Sequence, residues 1–172
     1  MSDKTYREIQ RLSIVTATYQ LHQYLDNFLH SIGAAIDRYR CDVTIVWTGP
    51  DTPLDGRLGT VLPADGQNPR RTVHYKPGLS LHAAWNYGVV RARGDVIAVL
   101  NDDLLLARDS LSRCMDALQV FGLESLYPFH TDGPTPPLLY YKAQDRPLQL
   151  EGPSEFRGFA MILTRYAYDR VK

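Results

Sequence analysis

The stretch that decides the fold is residues 75–103, which read YKPGLSLHAAWNYGVVRARGDVIAVLNDD. After the turn-forming pair Pro77-Gly78, apolar residues recur at spacings of three and four, which predicts an amphipathic helix. Gly94 is predicted to end this helix, because glycine adopts the left-handed conformation at a helix C-terminus at little cost. Residues 96–100 are all apolar and predict a strand buried on both faces, as the central strands of parallel sheets are.

The chain before this stretch alternates strand and helix patterns. Residues 12–16, 43–47 and 72–75 are rich in β-branched and apolar side chains, which predicts three further strands. Between the first two of these, the apolar residues within 21–36 recur at spacings of three and four, which predicts a helix with its apolar face inward. Strands that alternate with helices are typical of a parallel sheet.

The chain after residue 103 continues the alternation more weakly. Asp109 is predicted to cap a third helix, and Gly122 to end it. Residues 128–155 contain many of the prolines and predict loops, and residues 159–163 predict a last strand, with a helix beginning near Thr164. The whole pattern predicts an α/β fold with a mostly parallel central sheet flanked by helices.

Composition limits the classes of protein. The chain has 172 residues, which suits a single domain. It carries 19 Lys and Arg against 19 Asp and Glu, so broad nucleic-acid binding through phosphate neutralisation is not expected. The polar start lacks the pattern of a signal peptide, so none is expected, and no apolar run approaches the roughly 20 residues that span a bilayer. Two cysteines, Cys41 and Cys114, are too few for a disulfide framework, so a cytoplasmic location is expected, with Cys114 packed in the core.

The most polar strand end of the chain is Asn101-Asp102-Asp103, directly after the apolar residues 96–100. In open α/β sheets, ligands bind beyond the carboxyl ends of the strands. Two adjacent carboxylates repel each other unless a cation or water separates their charges, and a hard divalent cation is the natural counter-charge. A solvated turn or a helix cap is the alternative, because Asp favours both places.

Several common catalytic motifs are absent from the sequence. No Gly-x-Gly-x-x-Gly follows the first strand and no Walker loop occurs, which argues against dinucleotide-binding and P-loop proteins. Residues 78–82, GLSLH, lack the second glycine of a hydrolase nucleophile elbow. The five histidines form no zinc-binding pattern.

Residues 75–103 resemble the donor-site stretch of GT-A-fold glycosyltransferases of the family-2 type, which have an Asn-x-Gly helix, then Ala-x-Gly-Asp, then an apolar strand ending in an Asp-x-Asp-like motif. Residues 12–19, LSIVTATY, resemble the first strand of that family and its following turn, and residues 156–165 resemble its later glycine-containing strand. The resemblance therefore covers most of the chain in the right order. It implies a Rossmann-like GT-A fold and a single domain over 1–172, with a nucleotide-sugar-binding half at 11–103 and an acceptor-side half at 104–172 that is incomplete at its C-terminus.

The resemblance implies a role for particular residues. Asp103 would ligate a Mn²⁺ or Mg²⁺ ion that bridges the donor diphosphate, and Asn101 and Asp102 would contact the donor ribose or the water shell of the metal. Thr16, Thr18 and Tyr19 would line the nucleoside pocket, and Asn86 would lie near the donor site or hold its loops together. A structural hydrogen bond from the helix to a loop is the alternative for Asn86. The implied reaction moves a sugar from a nucleotide-sugar, expected to be a UDP-sugar, to a saccharide or other hydroxyl acceptor, with inversion.

The sequence departs from the family pattern at two places. The end of the second strand carries Trp47 and Thr48 where the family often has an Asp that reads uracil. Trp47 is expected to lie near the base, or alternatively to be a core residue at the strand end, and Asp51 could replace the acid if its loop folds back. No Glu-Asp dipeptide, the usual source of the catalytic base, occurs in the chain. Glu151 and Glu155, which precede the later strand, are the candidate bases.

Two alternatives remain open on the sequence alone. A nucleotidyltransferase would also use a metal on a nucleotide-binding α/β fold, although its glycine-rich loop with a catalytic Lys or Arg is missing. A non-catalytic nucleotide-sugar-binding module would retain the donor site and lack the base.

Overall fold

The computed structural model describes residues 8–19, 23–50, 70–126 and 160–171. These residues form four helices and six strands. They follow the predicted order of elements, except that the short strand at residues 125–126 was not predicted. The helices are α1 (Gln23–Ala35), α2 (Leu81–Arg91), α3 (Ser110–Phe121) and α4 (Arg165–Val171). The strands are β1 (Arg11–Thr18), β2 (Arg40–Trp47), β3 (Arg70–Tyr75), β4 (Val96–Leu100), β5 (Ser125–Leu126) and β6 (Ala160–Thr164).

The six strands form one mostly parallel sheet, in the order β3-β2-β1-β4-β6-β5. β1 pairs in parallel with β2 and β4, and β2 pairs in parallel with β3. β6 runs the other way and pairs antiparallel with both β4 and β5. The predicted α/β class with a mostly parallel sheet is therefore confirmed, and β6 is an antiparallel strand inserted between two strands that precede it in the chain.

The core lies on both faces of the sheet, because the side chains of β1 and β4 alternate between the faces. Leu12 and Ile14 belong to the larger core cluster, which contains the buried residues of α1 and α3. Val15 and Ala17 belong to two smaller clusters on the other face, where α2 packs. All five residues of β4 are buried, as the continuous apolar pattern predicted.

Two glycines allow backbone and side chains to approach closely around α2. A Cβ on Gly88 would lie 2.4 Å from Val15 Cγ1, so the helix can pack against β1 only without a side chain there. A Cβ on Gly94 would lie 2.6 Å from Ser13 N and 2.7 Å from Val96 O. The predicted role of Gly94 as a left-handed helix stop is wrong, because α2 already ends at its cap residue Ala92 and Gly94 does not have a positive φ.

The two predicted ends of α3 turn out differently. Gly122 follows the helix in the left-handed conformation, with φ of 60°, as predicted. Asp109 occupies the N-cap position, but its side chain makes no capping hydrogen bond, and its φ of 58° is itself left-handed. Its backbone N–H donates to Ala34 O of α1 at 2.9 Å, so this residue fixes the loop through its backbone.

Both cysteines are unpaired thiols that pack against the larger core cluster. Burial raises the pKa of the Cys114 thiol to about 11, which agrees with the predicted core position. No helix in the described ranges is both long enough and apolar enough to cross a membrane. The loops predicted at residues 128–155 lie outside the described residues.

Candidate functional site

A cleft of about 390 Å³ opens at the carboxyl edge of the sheet, where the parallel strands β1, β2 and β4 end. Parallel strands bring their carboxyl ends to the same edge, which is why residues far apart in sequence meet there. The cleft is lined by Ala17, Thr18, Tyr19, Thr48, Leu79, Leu81 and Asp102.

The floor of the cleft is held by hydrogen bonds between the ends of β1 and β2. The Thr48 backbone N–H donates to Thr18 O at 2.8 Å, and the Thr48 hydroxyl donates to the same oxygen at 3.1 Å. The next residue, Gly49, lies so close to the turn after β1 that a Cβ on it would meet Tyr19 O at 1.8 Å. The two strand ends therefore form one packed unit under the cleft.

The wall on the β3 side is held to β2 through its backbone. The Lys76 N–H donates to Trp47 O at 2.7 Å, and the Gly78 N–H donates to Thr48 O at 3.0 Å. Gly78 has a φ of 79°, which glycine adopts without the steric cost that a Cβ would impose. This turn carries Leu79 to the cleft, and Ser80 then caps α2 by accepting from the Ala83 N–H.

The turn Asn101-Asp102-Asp103, which we call the acidic turn, follows β4 directly. Asn101 Oδ1 is buried and has no hydrogen-bond partner among the described residues. A buried acceptor without a partner lowers the stability of the fold. Asp102 is half-buried and lines the cleft, whereas Asp103 is exposed. Ser31 of α1 accepts from the Leu106 N–H at 3.1 Å, so the segment after the turn is fixed to a helix of the core.

The structure brings three of the predicted site residues together along the cleft, namely Thr18, Tyr19 and Asp102. Two others are buried in their strands: Thr16 Oγ1 and Trp47 Nε1 have no hydrogen-bond partner among the described residues. The other described site residues do not line the cleft: Asn86 is exposed on α2, and Asn101 and Asp103 belong to the acidic turn. Glu151 and Glu155 lie outside the described residues.

Four cleft residues were not predicted. Thr48 was noted at the strand end where the family often has an acid, but it was not assigned to the site, although it directly follows β2. Ala17 lies within β1 and has no polar group to draw attention to it. Leu79 and Leu81 reach the cleft only because the Gly78 turn bonds to Thr48, and no local sequence pattern reveals that contact.

The residues of the acidic turn suit a metal ion that is coordinated jointly by the protein and by a bound ligand. In the described part of the chain, no group of three or more His, Cys, Asp and Glu side chains is placed to hold a metal ion. The acidic turn nevertheless offers two carboxylates and the unpartnered Asn101 Oδ1, and Mg²⁺ is commonly held by one or two carboxylates together with substrate phosphates. The donor set therefore fits a hard divalent cation whose coordination a phosphate ligand completes.

The sheet order, the antiparallel β6 and the cleft beside the acidic turn define a GT-A domain with a Rossmann-like α/β fold. The chain belongs to glycosyl transferase family 2, whose family model matches residues 13–169.

Two solved structures show the likeness of fold. A mannosyltransferase from Pyrobaculum calidifontis, PcManGT, solved in complex with GDP-Man and Mn²⁺, aligns with a TM-score of 0.56 and 20% identity over 70% of this chain and 35% of that one. S. aureus TarS 1-349, in complex with UDP-GlcNAc, aligns with a TM-score of 0.55 and 15% identity over 67% of this chain and 33% of that one.

A Mycobacterium tuberculosis (strain CDC 1551 / Oshkosh) protein, whose name suggests a glycosyltransferase, is 29% identical over 94 residues. The matched part is 55% of this chain and 28% of that protein. The alignments thus cover about a third or less of the length of each relative.

Proposed function

We propose that this chain binds a nucleotide-sugar in the cleft at the carboxyl edge and transfers the sugar to a hydroxyl acceptor, with a divalent metal and with inversion. The observation that carries the proposal is the position of the cleft, which lies between the packed ends of β1 and β2 and the acidic turn after β4. Membership in glycosyl transferase family 2 supports the same reaction class over a nucleotidyltransferase.

The nucleoside would lie between apolar walls and a polar floor. Tyr19 is 62% exposed and Leu81 is 47% exposed, and both line the cleft, so a flat base can remove their surface from water. Thr48 donates its hydroxyl proton to Thr18 O, which leaves the lone pairs of that hydroxyl to accept from a base N–H. This arrangement can replace the strand-end acid that the family often uses.

The metal would be held at the acidic turn by Asp103, with Asn101 and Asp102 toward the ribose or the metal-bound water. Mn²⁺ or Mg²⁺ supplies Lewis-acid stabilisation of the negative charge on a departing nucleoside diphosphate. The contribution of the chain is to hold the carboxylates at the end of a fully buried strand, where the Ser31 contact to Leu106 limits their movement. Such fixed positioning lowers the entropic cost of reaction.

Trp47 is proposed to lie against the base, because it ends β2 where the family often has a base-reading acid. Its ring is 3% exposed and its Nε1 has no hydrogen-bond partner among the described residues, so a ligand acceptor could use that N–H after a small local shift. Intrinsic fluorescence on addition of UDP and of GDP measures this proximity. The control is Trp85→Phe, which removes the other tryptophan, and unchanged emission of Trp47 at saturating nucleotide would argue for a purely structural role.

The catalytic base is proposed to be Glu151 or Glu155. A positioned base contributes about 10²- to 10⁴-fold to such a transfer, so Glu→Gln at the correct position should reduce turnover by that factor while donor binding persists. Rapid transfer by both Gln variants would assign the base to another residue.

The central experiment is incubation with UDP- and GDP-sugars, with and without Mn²⁺, followed by analysis of the products. Free nucleoside diphosphate together with a glycosylated acceptor is the expected result, and the anomeric configuration of the product reports inversion. Pyrophosphate release would indicate a nucleotidyltransferase, and binding without turnover would indicate a donor-binding module. A thermal-shift series serves as the binding arm, because ligand at 100 times its dissociation constant stabilises the folded state by about 2.7 kcal/mol.

A further inference from the structure

Positive charge is concentrated in one part of an otherwise neutral chain. Residues 70–94 contain Arg70, Arg71, Lys76, Arg91 and Arg93 and no Asp or Glu, whereas the formal net charge of the whole chain is zero. This segment contains β3 at the edge of the described sheet and α2, which packs beside it. A local excess of one sign attracts ligands of the other sign.

Three side chains of this segment meet around the aromatic ring of Tyr87. The Arg91 guanidinium lies 3.5 Å from the centre of the Tyr87 ring, and Lys76 Nζ lies 5.0 Å from the same centre. The His74 ring meets Tyr87 edge-on, with ring centres 5.4 Å apart. We call Lys76, Arg91, Tyr87 and His74 the Tyr87 cluster.

The two cations of the Tyr87 cluster have no anionic partner in the described part of the chain, where neither forms an ion pair with a carboxylate within 4.0 Å. Other exposed cations do have such partners, as in the pairs Arg38–Asp116 and Arg170–Glu124, each at 2.8 Å. Burial and then the charges of Arg91 and Lys76 lower the pKa of His74. The His74 ring therefore lies in the positive electrostatic field of Arg91 and Lys76.

We propose that Lys76 and Arg91 form a binding site for a phosphate group, with the Tyr87 ring holding the two cations in place. Arg91 is further fixed because its Nη1 donates to Tyr87 O at 3.0 Å, which leaves its remaining N–H groups for a ligand. A phosphate group has enough acceptor oxygens to bind a lysine ammonium and an arginine guanidinium together through charge-assisted hydrogen bonds. The phosphate source is either a lipid headgroup or a soluble phosphate compound. No member of the Tyr87 cluster lines the donor cleft, although the Lys76 backbone donates to Trp47 O beside it.

The test uses His74 as a local reporter. A bound anion favours the charged imidazolium, so inorganic phosphate, added in the presence of EDTA, should raise the pKa of His74 measured by proton NMR. The double variant Lys76→Gln/Arg91→Gln should abolish this response and weaken phosphate binding by about tenfold, the scale expected for two exposed ion contacts. Assignment of the His74 resonance by His74→Gln completes the measurement.

The control is Arg108→Gln/Arg113→Gln, which removes two exposed cations outside the cluster and should leave the response unchanged. Cosedimentation with phosphatidylglycerol-containing vesicles, compared with phosphatidylcholine alone, distinguishes the sources. Pelleting of the parent but not of the Lys76/Arg91 variant assigns a headgroup, and phosphate binding without pelleting assigns a soluble compound. An equal loss in the control, or no difference between parent and variant with phosphate and with vesicles, would overturn the proposal.

Discussion

Polar side chains at the amino edge of the sheet, where β1 and β4 begin, differ in their hydrogen bonding from Asn101 at the carboxyl edge, where β4 ends. At the amino edge, Ser13 Oγ accepts from the N–H groups of Arg93 and Gly94, at 3.2 and 2.8 Å. Asp95 Oδ2 accepts from the N–H groups of Gln10 and Arg11, at 3.1 and 3.0 Å. At the carboxyl edge, Asn101 Oδ1 is buried with no hydrogen-bond partner among the described residues.

The contrast is clearest for two aspartates that flank the same strand. Asp95 precedes β4 and is occupied by two backbone donors, whereas Asp103 follows β4 and makes no hydrogen bond or ion pair with any described residue. Both residues are aspartates, so residue type alone does not predict this difference. What separates them is whether the chain itself supplies the donors that an acid requires.

The largest expected effect is on donor binding, from a substitution at the carboxyl edge of the sheet. Asp103→Ala should lower metal-dependent donor binding by about 100-fold or more, because loss of a metal ligand costs at least as much as loss of a supporting group around it. The melting temperature should stay that of the parent, since Asp103 has no partner within the described residues. Isothermal titration with a nucleotide-sugar and Mn²⁺ measures the first quantity, and Asp103→Asn is the size-matched companion. Binding equal to that of the parent would remove Asp103 from the site.

At the amino edge of the sheet, Gly94→Ala should lower the free energy of unfolding by about 3 kcal/mol, because overpacking against rigid atoms is destabilising. Its new Cβ would meet Ser13 N, Val96 O and Arg11 O, all of which are backbone atoms. Urea unfolding measures the change, with Gly33→Ala, at an exposed position within α1, as the control that should not destabilise. A Gly94→Ala protein as stable as the parent would mean that the strands separate easily at this edge.

A smaller effect is expected from Asp95→Ala, which should lower the free energy of unfolding by about 2 kcal/mol through loss of charge-assisted hydrogen bonds to two N–H groups. Donor affinity of the folded protein should not change, which reverses the pattern expected for Asp103→Ala. Paired unfolding and titration data on the two variants therefore test the comparison directly. If Asp95→Ala weakens donor binding while leaving stability intact, the two edges do not divide structure from function.

The sequence predicts what depends on local periodicity, and it misses what depends on neighbours in space. The strands β1, β2 and β4 follow from runs of apolar residues, and α1 and α2 from the three-and-four spacing. The need for a residue without a Cβ at position 94 was not predicted, because it depends on β1 lying beside the residues before β4. The capping side chain of Asp109 was wrongly expected because backbone contact with α1 sets its conformation.

The same distinction holds at the candidate site. The acidic turn is visible in the sequence because three polar residues interrupt an apolar run at a strand end. Leu79 and Leu81 are apolar residues in an apolar helical pattern, so nothing marks them as cleft residues until the Gly78 turn is seen bonded to Thr48. The Tyr87 cluster likewise depends on the pairing of β3 with β2 and on the packing of α2 against the sheet.

The insertion of β6 between β4 and β5 has a consequence for synthesis on the ribosome. β5 pairs only with β6 among the described strands, and β6 is made some 35 residues after it. Until residues 160–164 leave the exit tunnel, β4 therefore presents an unpaired edge of five apolar residues, the kind of edge that pairs with other chains. A nascent chain released before that point would be prone to aggregation, and β6 removes this risk by pairing with the exposed edge of β4.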